Sequence, residues 1–138
     1  MRVLGLDVGE KRIGIAISDP LGWTAQSLKT LERRNIKSDI EEIIKIIEQH
    51  KVEKLVVGLP KNMNGTIGES GQKVMNFCNK LLEKINIEII YEDERLTTMA
   101  AEKILIDADI SRKKRKGIVD ALAATFILQT YLDRNRKL

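Results

Sequence analysis

The sequence predicts an α/β fold, a five-stranded mixed sheet (a three-strand meander plus two parallel strands) with helices on both faces. Three observations carry this. Over the first 31 residues, short β-branched and aliphatic runs alternate with turn signals. From Ile36 onward the hydrophobic period becomes helical, and helix-like and strand-like segments then alternate. Finally, 138 residues suit one core, since a chain of this size buries roughly 68 to 70% of its unfolded surface without help from a metal or a disulfide. A single domain over residues 1–138 is therefore expected.

The elements follow in order. Val3 to Val8 is a short apolar run interrupted by Asp7, and Ile13 to Ser18 is a second β-branched run, so the pair reads as a hairpin around Gly9-Glu10-Lys11. Asp19-Pro20-Leu21-Gly22 has the composition of a turn, and a weaker third strand covers Gln26 to Leu31. Ile36, Ile40, Ile43, Ile44 and Ile47 fall on one helical face, with Asp39, Glu41, Glu42, Lys45 and Glu48 on the other. Glu53 to Leu59 is a buried strand that ends at Pro60 in a loop with Asn62, Asn64 and Gly65. Thr66 and Glu69 have the spacing of a capping box. The helix they open carries Val74, Phe77, Cys78, Leu81, Leu82 and Ile85 on its apolar face. Ile87 to Glu94 is the fifth strand, Thr97 or Thr98 caps a helix through Ile106, and Gly117 begins a last helix to Arg134. Strands one, four and five are expected to be parallel.

Composition excludes several function classes. Cys78 is the only cysteine and His50 the only histidine, which leaves no disulfide, no thiolate zinc cage and no thiol-protease pair. No apolar run approaches the length of a membrane span, and Met1-Arg2-Val3-Leu4 leads into a strand, so a cytoplasmic protein without membrane partners is expected. The net charge of +4 is unevenly placed. Residues 1–110 hold 16 basic and 18 acidic side chains, net −2, while residues 111–138 hold 8 basic and 2 acidic, net +6. Five of those charges are consecutive, Arg112, Lys113, Lys114, Arg115 and Lys116. Such a run reads either as a solvated loop or as a polyanion-binding patch. With Trp23 and Tyr91 among few aromatics, binding would run through backbone charge rather than base stacking.

In an open α/β sheet, functional groups gather beyond the carboxyl ends of the parallel strands. Asp7 ends the first strand, Asp93 and Glu94 end the fifth, and Asp120 falls in the first turn of the last predicted helix, bordering its apolar face. Each has a structural account: Asp7 could close the turn, Glu94 could pair with Arg95, and Asp120 could complement a helix dipole. Converging at one sheet edge, they would hold one or two hard divalent cations, Mg²⁺ or Mn²⁺ rather than zinc. Two such ions support in-line phosphoryl displacement. A second reading takes Asp7 to Gly14 as a phosphate-cradling turn of an actin-like ATPase, although the chain has no room for that architecture's second domain.

Four segments together, LGLDVGEKRIGIAISDP at 4–20, VVGLPKNMNG at 56–65, DERLTT at 93–98 and SRKKRKGIVDALAA at 111–124, resemble the YqgF (RuvX) family, described as pre-16S ribosomal RNA nucleases and as Holliday junction resolvase-like proteins. The resemblance covers essentially the whole chain. It implies a ribonuclease H-like fold, metal-dependent phosphodiester hydrolysis and maturation of the 5′ end of 16S rRNA. Asp7 and Asp120 take the first and last catalytic carboxylates, and Glu94 the middle one in preference to Asp93, because neighbouring side chains on a strand point to opposite faces. If strand five lies beyond strand four, its backbone is about 10 Å from strand one at ~4.8 Å per step, a gap a Glu spans more easily than an Asp.

The remaining polar candidates have weaker claims. Lys11, Arg12, Asn62 and Asn64 would meet phosphate or sugar, or else serve as turn residues. Arg95 would clamp a phosphate or neutralise the acids, and residues 112–116 would hold the substrate backbone. Cys78 is expected in the core, and Thr97 and Thr98 as caps. The expected partner is RNA, as pre-16S rRNA or a pre-ribosomal particle, bound by a monomer or homodimer. Alternatives are a Holliday junction resolvase acting on branched DNA and a non-catalytic RNA-binding assembly or transcription factor.

Overall fold

A computed structural model describes residues 1–93 and 112–135. Strands β1 (Arg2–Val8), β2 (Arg12–Ser18) and β3 (Ala25–Glu32) form the meander. Helix α1 (Ile36–His50), β4 (Val52–Leu59), α2 (Glu69–Leu82) and β5 (Glu88–Asp93) follow, and α3 (Arg112–Arg134) closes the described chain. The five-stranded sheet has the order β3-β2-β1-β4-β5. β1 pairs antiparallel with β2 and parallel with β4, and β4 pairs parallel with β5. The expected mixed sheet is thus observed, and β5 lies two strands from β1.

Alternation along the strands sorts side chains between two cores. Leu4, Leu6, Ile13, Ile15, Leu55 and Val57 pack under α1 and α2, joined by Ile43, Phe77, Cys78 and Leu81. The opposite face is built from smaller residues, with Val3, Ala16 and Val56 packed on Ala124, Ile127, Leu128 and Tyr131 of α3. This pattern, bulky on one side and small on the other, brings α3 close to the sheet. At Gly5 an added Cβ would stand 2.8 Å from the Leu128 Cβ and 3.0 Å from the Ala124 carbonyl oxygen, so only glycine permits this packing. Hydrogen bonds fix the helix laterally. The Gln129 side chain accepts from the Ala25 N–H at 2.8 Å and donates to the Trp23 carbonyl at 3.2 Å, and Ser27 and Thr125 share a hydrogen bond of 2.8 Å.

Several local expectations are corrected. Thr66 does not cap α2: the cap is Gly68, without a side-chain hydrogen bond. The Thr66 hydroxyl and N–H instead donate to Asn64 Oδ1, because a short Asn side chain inside the loop satisfies them first. Asp39, assigned to the solvent side of α1, is 2% exposed, and Ile36, assigned to the apolar face, is 41% exposed. The cause is Arg33, which reaches back over the helix start and pairs with Asp39 at 3.1 Å. Helix α3 begins at Arg112 rather than Gly117, since Lys and Arg are good helix formers and Gly117 is tolerated inside the helix at a cost of about 1 kcal/mol. Asp120 is accordingly more than two turns into the helix, and its predicted first-turn dipole role does not apply. The helix expected through Ile106, with Thr97 and Thr98, lies outside the described residues.

Replacing Gly5 by Ala should lower the unfolding free energy by about 1 to 3 kcal/mol, the usual range for forcing atoms into a packed core. Urea denaturation followed by circular dichroism measures this, and an unchanged midpoint would contradict the close approach.

Candidate active site

Asp7, the penultimate residue of β1, lies on the α3 face, the face shared by Val3 and Gly5. Its partner in β2 is Gly14, whose partner in β3 is Thr30. On the other side Leu6 pairs with Val57, so the β4 position level with Asp7 is Gly58. Asp7 therefore stands between two glycines, and neither neighbouring strand carries a side chain at the position level with it.

Two independent alignments locate α3 above this surface. Gly5 lies against Ala124, and Asp7 is two strand residues further on, about 6.6 Å along β1, while Asp120 is four residues back from Ala124, about 6 Å along the helix. Ser27 contacts Thr125 and Ala25 contacts Gln129, so the helix descends as the strand numbers fall. Both counts bring position 120 of α3 level with Asp7. The basic run occupies the first turns of the same helix, with positions 112–116 about 6 to 12 Å from position 120 along the axis. The side chains of residues 112–121 are outside what the structure describes, as are Glu94 and Arg95.

The last two residues of β5, both acidic, point to opposite faces. Ile90 packs towards α3, whereas Ile89 and Tyr91 pack under α1 and α2, so Glu92 faces α3 and Asp93 the other side. Asp93 is thus on the face opposite Asp7. Glu92 is buried, 6% exposed, and receives both terminal nitrogens of Arg134, an ion pair that ties α3 to β5. Sequence reasoning did not single out Glu92, whose only signal was a carboxylate alternating with Ile90 on a buried strand.

Across the strand ends, on the α2 side, lies a cleft of about 240 Å³ whose lining includes Asp7, Gly9, Glu10, Arg33, Ser70 and Lys73. Arg33 is its inner wall. Its Nε donates to Asp39 Oδ2 at 3.1 Å, its Nη1 donates to the Gly9 carbonyl at 2.8 Å, and its guanidinium sits 5.3 Å from the Phe77 ring centroid. The hairpin turn is drawn tight by the Gly9 N–H donating to the Arg12 carbonyl at 2.8 Å, where a Cβ on residue 9 would lie 2.8 Å from the same oxygen. Lys73 reaches from α2 to Glu10 at 3.3 Å and Glu69 at 3.7 Å. These carboxylates, Glu10 foremost, hold its ammonium above the ordinary lysine range. Arg33 and Lys73 had no sequence signal beyond ordinary surface charge, because a cleft formed by residues far apart in the chain exists only after folding.

The other candidates are dispersed. Arg12 pairs with Glu32 at 3.0 Å on the α3 face, and Lys11 is exposed at the hairpin tip. The Asn62 amide donates to the Thr66 hydroxyl at 3.0 Å, and Asn64 accepts from Thr66, so both side chains engage within their own loop. His50 meets Arg2 at 3.3 Å near the amino end of the sheet, far from Asp7 in register. Among the described residues no three Asp, Glu, His or Cys side chains converge as a metal cluster, and no helix is long and apolar enough to cross a membrane.

The sequence model of RuvX, described as Holliday junction resolvase, matches residues 1–134. The chain belongs to the RuvX family. A relative from Clostridium tetani named "Putative pre-16S rRNA nuclease" is 60% identical over 133 residues, covering 96% of each chain. One of the same name from Desulforamulus reducens is 55% identical over 137 residues, covering 99% of this chain and all of the relative. Two solved structures share the fold at 12% identity. Thermus thermophilus RuvC with a Holliday junction substrate has a TM-score of 0.62, with 97% of this chain and 95% of that one covered. Fowlpox virus resolvase with junction DNA has a TM-score of 0.63, with 99% and 100% covered. The expected ribonuclease H-like architecture of a RuvX chain is therefore observed.

Arg33→Met should destabilise the protein by roughly 2 to 4 kcal/mol, because it leaves the buried Asp39 carboxylate without its cation. Thermal and urea unfolding test this, and a neutral result would remove Arg33 as the anchor of the Gly9 turn. Burial pushes the Cys78 thiol from 9.0 up to about 11, which suits a core residue and not a nucleophile. Dithionitrobenzoate at pH 8 should leave Cys78 unmodified until denaturant is added. Because the folded state keeps a proton that the unfolded chain releases, this group's contribution to stability should also fall as pH rises from 9 through 11.

Proposed function

We propose that the chain is a metal-dependent nuclease that hydrolyses phosphodiester bonds in precursor 16S rRNA, in the cytoplasm, as part of small-subunit maturation. The observation that carries this is Asp7, held between Gly14 and Gly58 on the face of the sheet where α3 brings position 120 level with it. The names of relatives that match this chain at 55 to 60% identity over nearly their full length support the choice of RNA.

Asp7, Asp120 and Glu94 are the proposed metal-holding residues. The side of β5 to which Asp93 points supports Glu94 as the middle carboxylate. The donor set is all carboxylate oxygen, which fits Mg²⁺ or Mn²⁺. A divalent cation held there would supply Lewis-acid stabilisation of the charge developing on the phosphoryl oxygens. The chain's own contribution is placement. The flanking glycines leave room for a phosphodiester beside Asp7, and Arg12 on the same face and residues 112–116 in the first turns of α3 bind neighbouring phosphates. Arg95 beside Glu94 offsets the acid cluster's charge when no cation is bound. Lys11 at the hairpin tip adds a further phosphate contact, while Asn62 and Asn64 hold their loop.

The resolvase reading keeps support from the family description and from the fold shared with RuvC. It requires two symmetric active sites and hence a dimer.

Asp7→Asn should abolish Mn²⁺- and Mg²⁺-dependent cleavage of a defined precursor 16S fragment while leaving RNA affinity within about twofold. Retained cleavage in a nuclease-free preparation would overturn the assignment. Preferential cutting of a four-way DNA junction over the precursor RNA would transfer it to the resolvase reading.

A further inference from the structure

The cleft on the α2 side shares Asp7 with the metal site proposed above, but its other polar lining, Glu10, Arg33, Ser70 and Lys73, lies apart from α3, which packs against the other face of the sheet. Its composition nevertheless has a direction. Arg33 donates through Nε and Nη1, and among the described residues no acceptor meets its Nη2, although a guanidinium carries five N–H donors. Lys73 is 57% exposed, and its partners Glu10 and Glu69 are 79% and 87% exposed. Exposed ion pairs of this kind contribute about 0 to 1 kcal/mol, so a better anion displaces the carboxylates easily. A phosphodiester is a better anion for this place, because it can accept from Lys73 and from a free guanidinium edge together, through charge-assisted hydrogen bonds.

We propose that this cleft is a second phosphate-binding subsite, in which Lys73 leaves Glu10 for a phosphodiester oxygen of the bound strand. The ligand is a nucleic-acid backbone, identified by its regularly repeated monoanionic phosphates. Asp7 lines the cleft and is also the penultimate residue of the catalytic strand, so a strand crossing the ends of β1 and β4 meets the two places in succession. Glu10 then acts as an electrostatic placeholder, occupying Lys73 when no strand is bound. The proposal rests on the nucleic-acid part of the reading above and not on cleavage.

The test is equilibrium binding of a fluorescent 12-nucleotide single-stranded RNA in EDTA, so that no metal contributes. Lys73→Gln should weaken binding roughly threefold or more and reduce the slope of log K against log salt by about 0.7, the share of one phosphate contact on a single strand. Lys80→Gln, an exposed lysine later on the same helix and outside the cleft, serves as the control. Glu10→Gln should tighten binding in the wild-type background and do so clearly less when Lys73 is already Gln, since a direct exchange is non-additive. A Lys73→Gln effect no larger than that of Lys80→Gln, or equal tightening by Glu10→Gln in both backgrounds, would overturn the subsite. Mn²⁺-dependent cleavage by the wild-type protein is followed separately. A binding defect without any wild-type cleavage would retain the subsite and reject the nuclease assignment, whereas cleavage without a Lys73 defect would do the reverse.

Discussion

The contact between α3 and β1 at Gly5 sets the geometry on which the candidate active site depends. A helix normally rides on side chains that hold it away from a sheet, but here the strand offers none at the crossing point, and Leu128 and the Ala124 carbonyl take the vacated space. Ala16 and Ala124 continue the small surface on either side. The same face bears Gly14 and Gly58 next to Asp7, so the absence of side chains extends from the packed region into the open one. In the packed region it admits a helix. In the open region it leaves a floor on which a carboxylate is the main chemical feature. Packing and chemistry thus draw on one property of the sequence, and the helical repeat converts the Gly5 contact into the placement of position 120 one turn away.

A second constraint acts on the other side of the strand end. Only Val8 separates Asp7 from the hairpin turn, and a loose turn would allow the end of β1 to fray. Arg33 prevents this by donating to the Gly9 carbonyl while its own charge is balanced by Asp39 and its flat face lies over Phe77. Burying the Asp39 carboxylate is unfavourable in itself, and it is sustained because both of its oxygens have donors: one accepts from Arg33 Nε and the other from the Arg34 N–H. The arrangement joins the end of β3, the start of α1, a core aromatic of α2 and the turn after Asp7. Rigid support of this kind is what a site needs when its reacting groups come from segments distant in sequence.

Much of this was legible in the sequence, and what was not follows a pattern. The five strands, the two amphipathic helices and the carboxylate at the end of β1 all announce themselves locally, through alternation, helical spacing and one acid in an apolar run. The faces of Ile89 to Asp93 follow the two-residue period of a strand, while Glu94 itself lies outside the described residues. The failures came where a residue's role depends on a partner far away. Asp39 read as solvent-facing because its cation lies before the helix, and Lys73 carried no signal because the hairpin bearing Glu10 is 63 residues distant. Thr66 had the spacing of a cap, but Asn64 competed for it within the loop.

The start of α3 shows how electrostatics and substrate are related. Residues 112–116 read either as a solvated loop or as a polyanion-binding patch ahead of a helix starting at Gly117; as the start of a helix, five adjacent cations oppose one another and also oppose the positive end of the helix dipole. In the structure they are helical. Intrinsic propensity and the packing of Ala123 to Leu132 on the sheet act against both repulsions. A polyanion reverses the sign of the two terms together, since phosphates screen the cations from each other and complement the dipole. On the nuclease reading, the segment is therefore least favourable before substrate binds and most favourable afterwards. Its helical continuity with Asp120 means that phosphates bound there draw on the same rigid element that sets the carboxylate's position. The net charge of +4, mild for the whole chain, conceals this arrangement: a slightly acidic body holding Asp7, and a strongly basic helix start delivered to it by the close approach at Gly5.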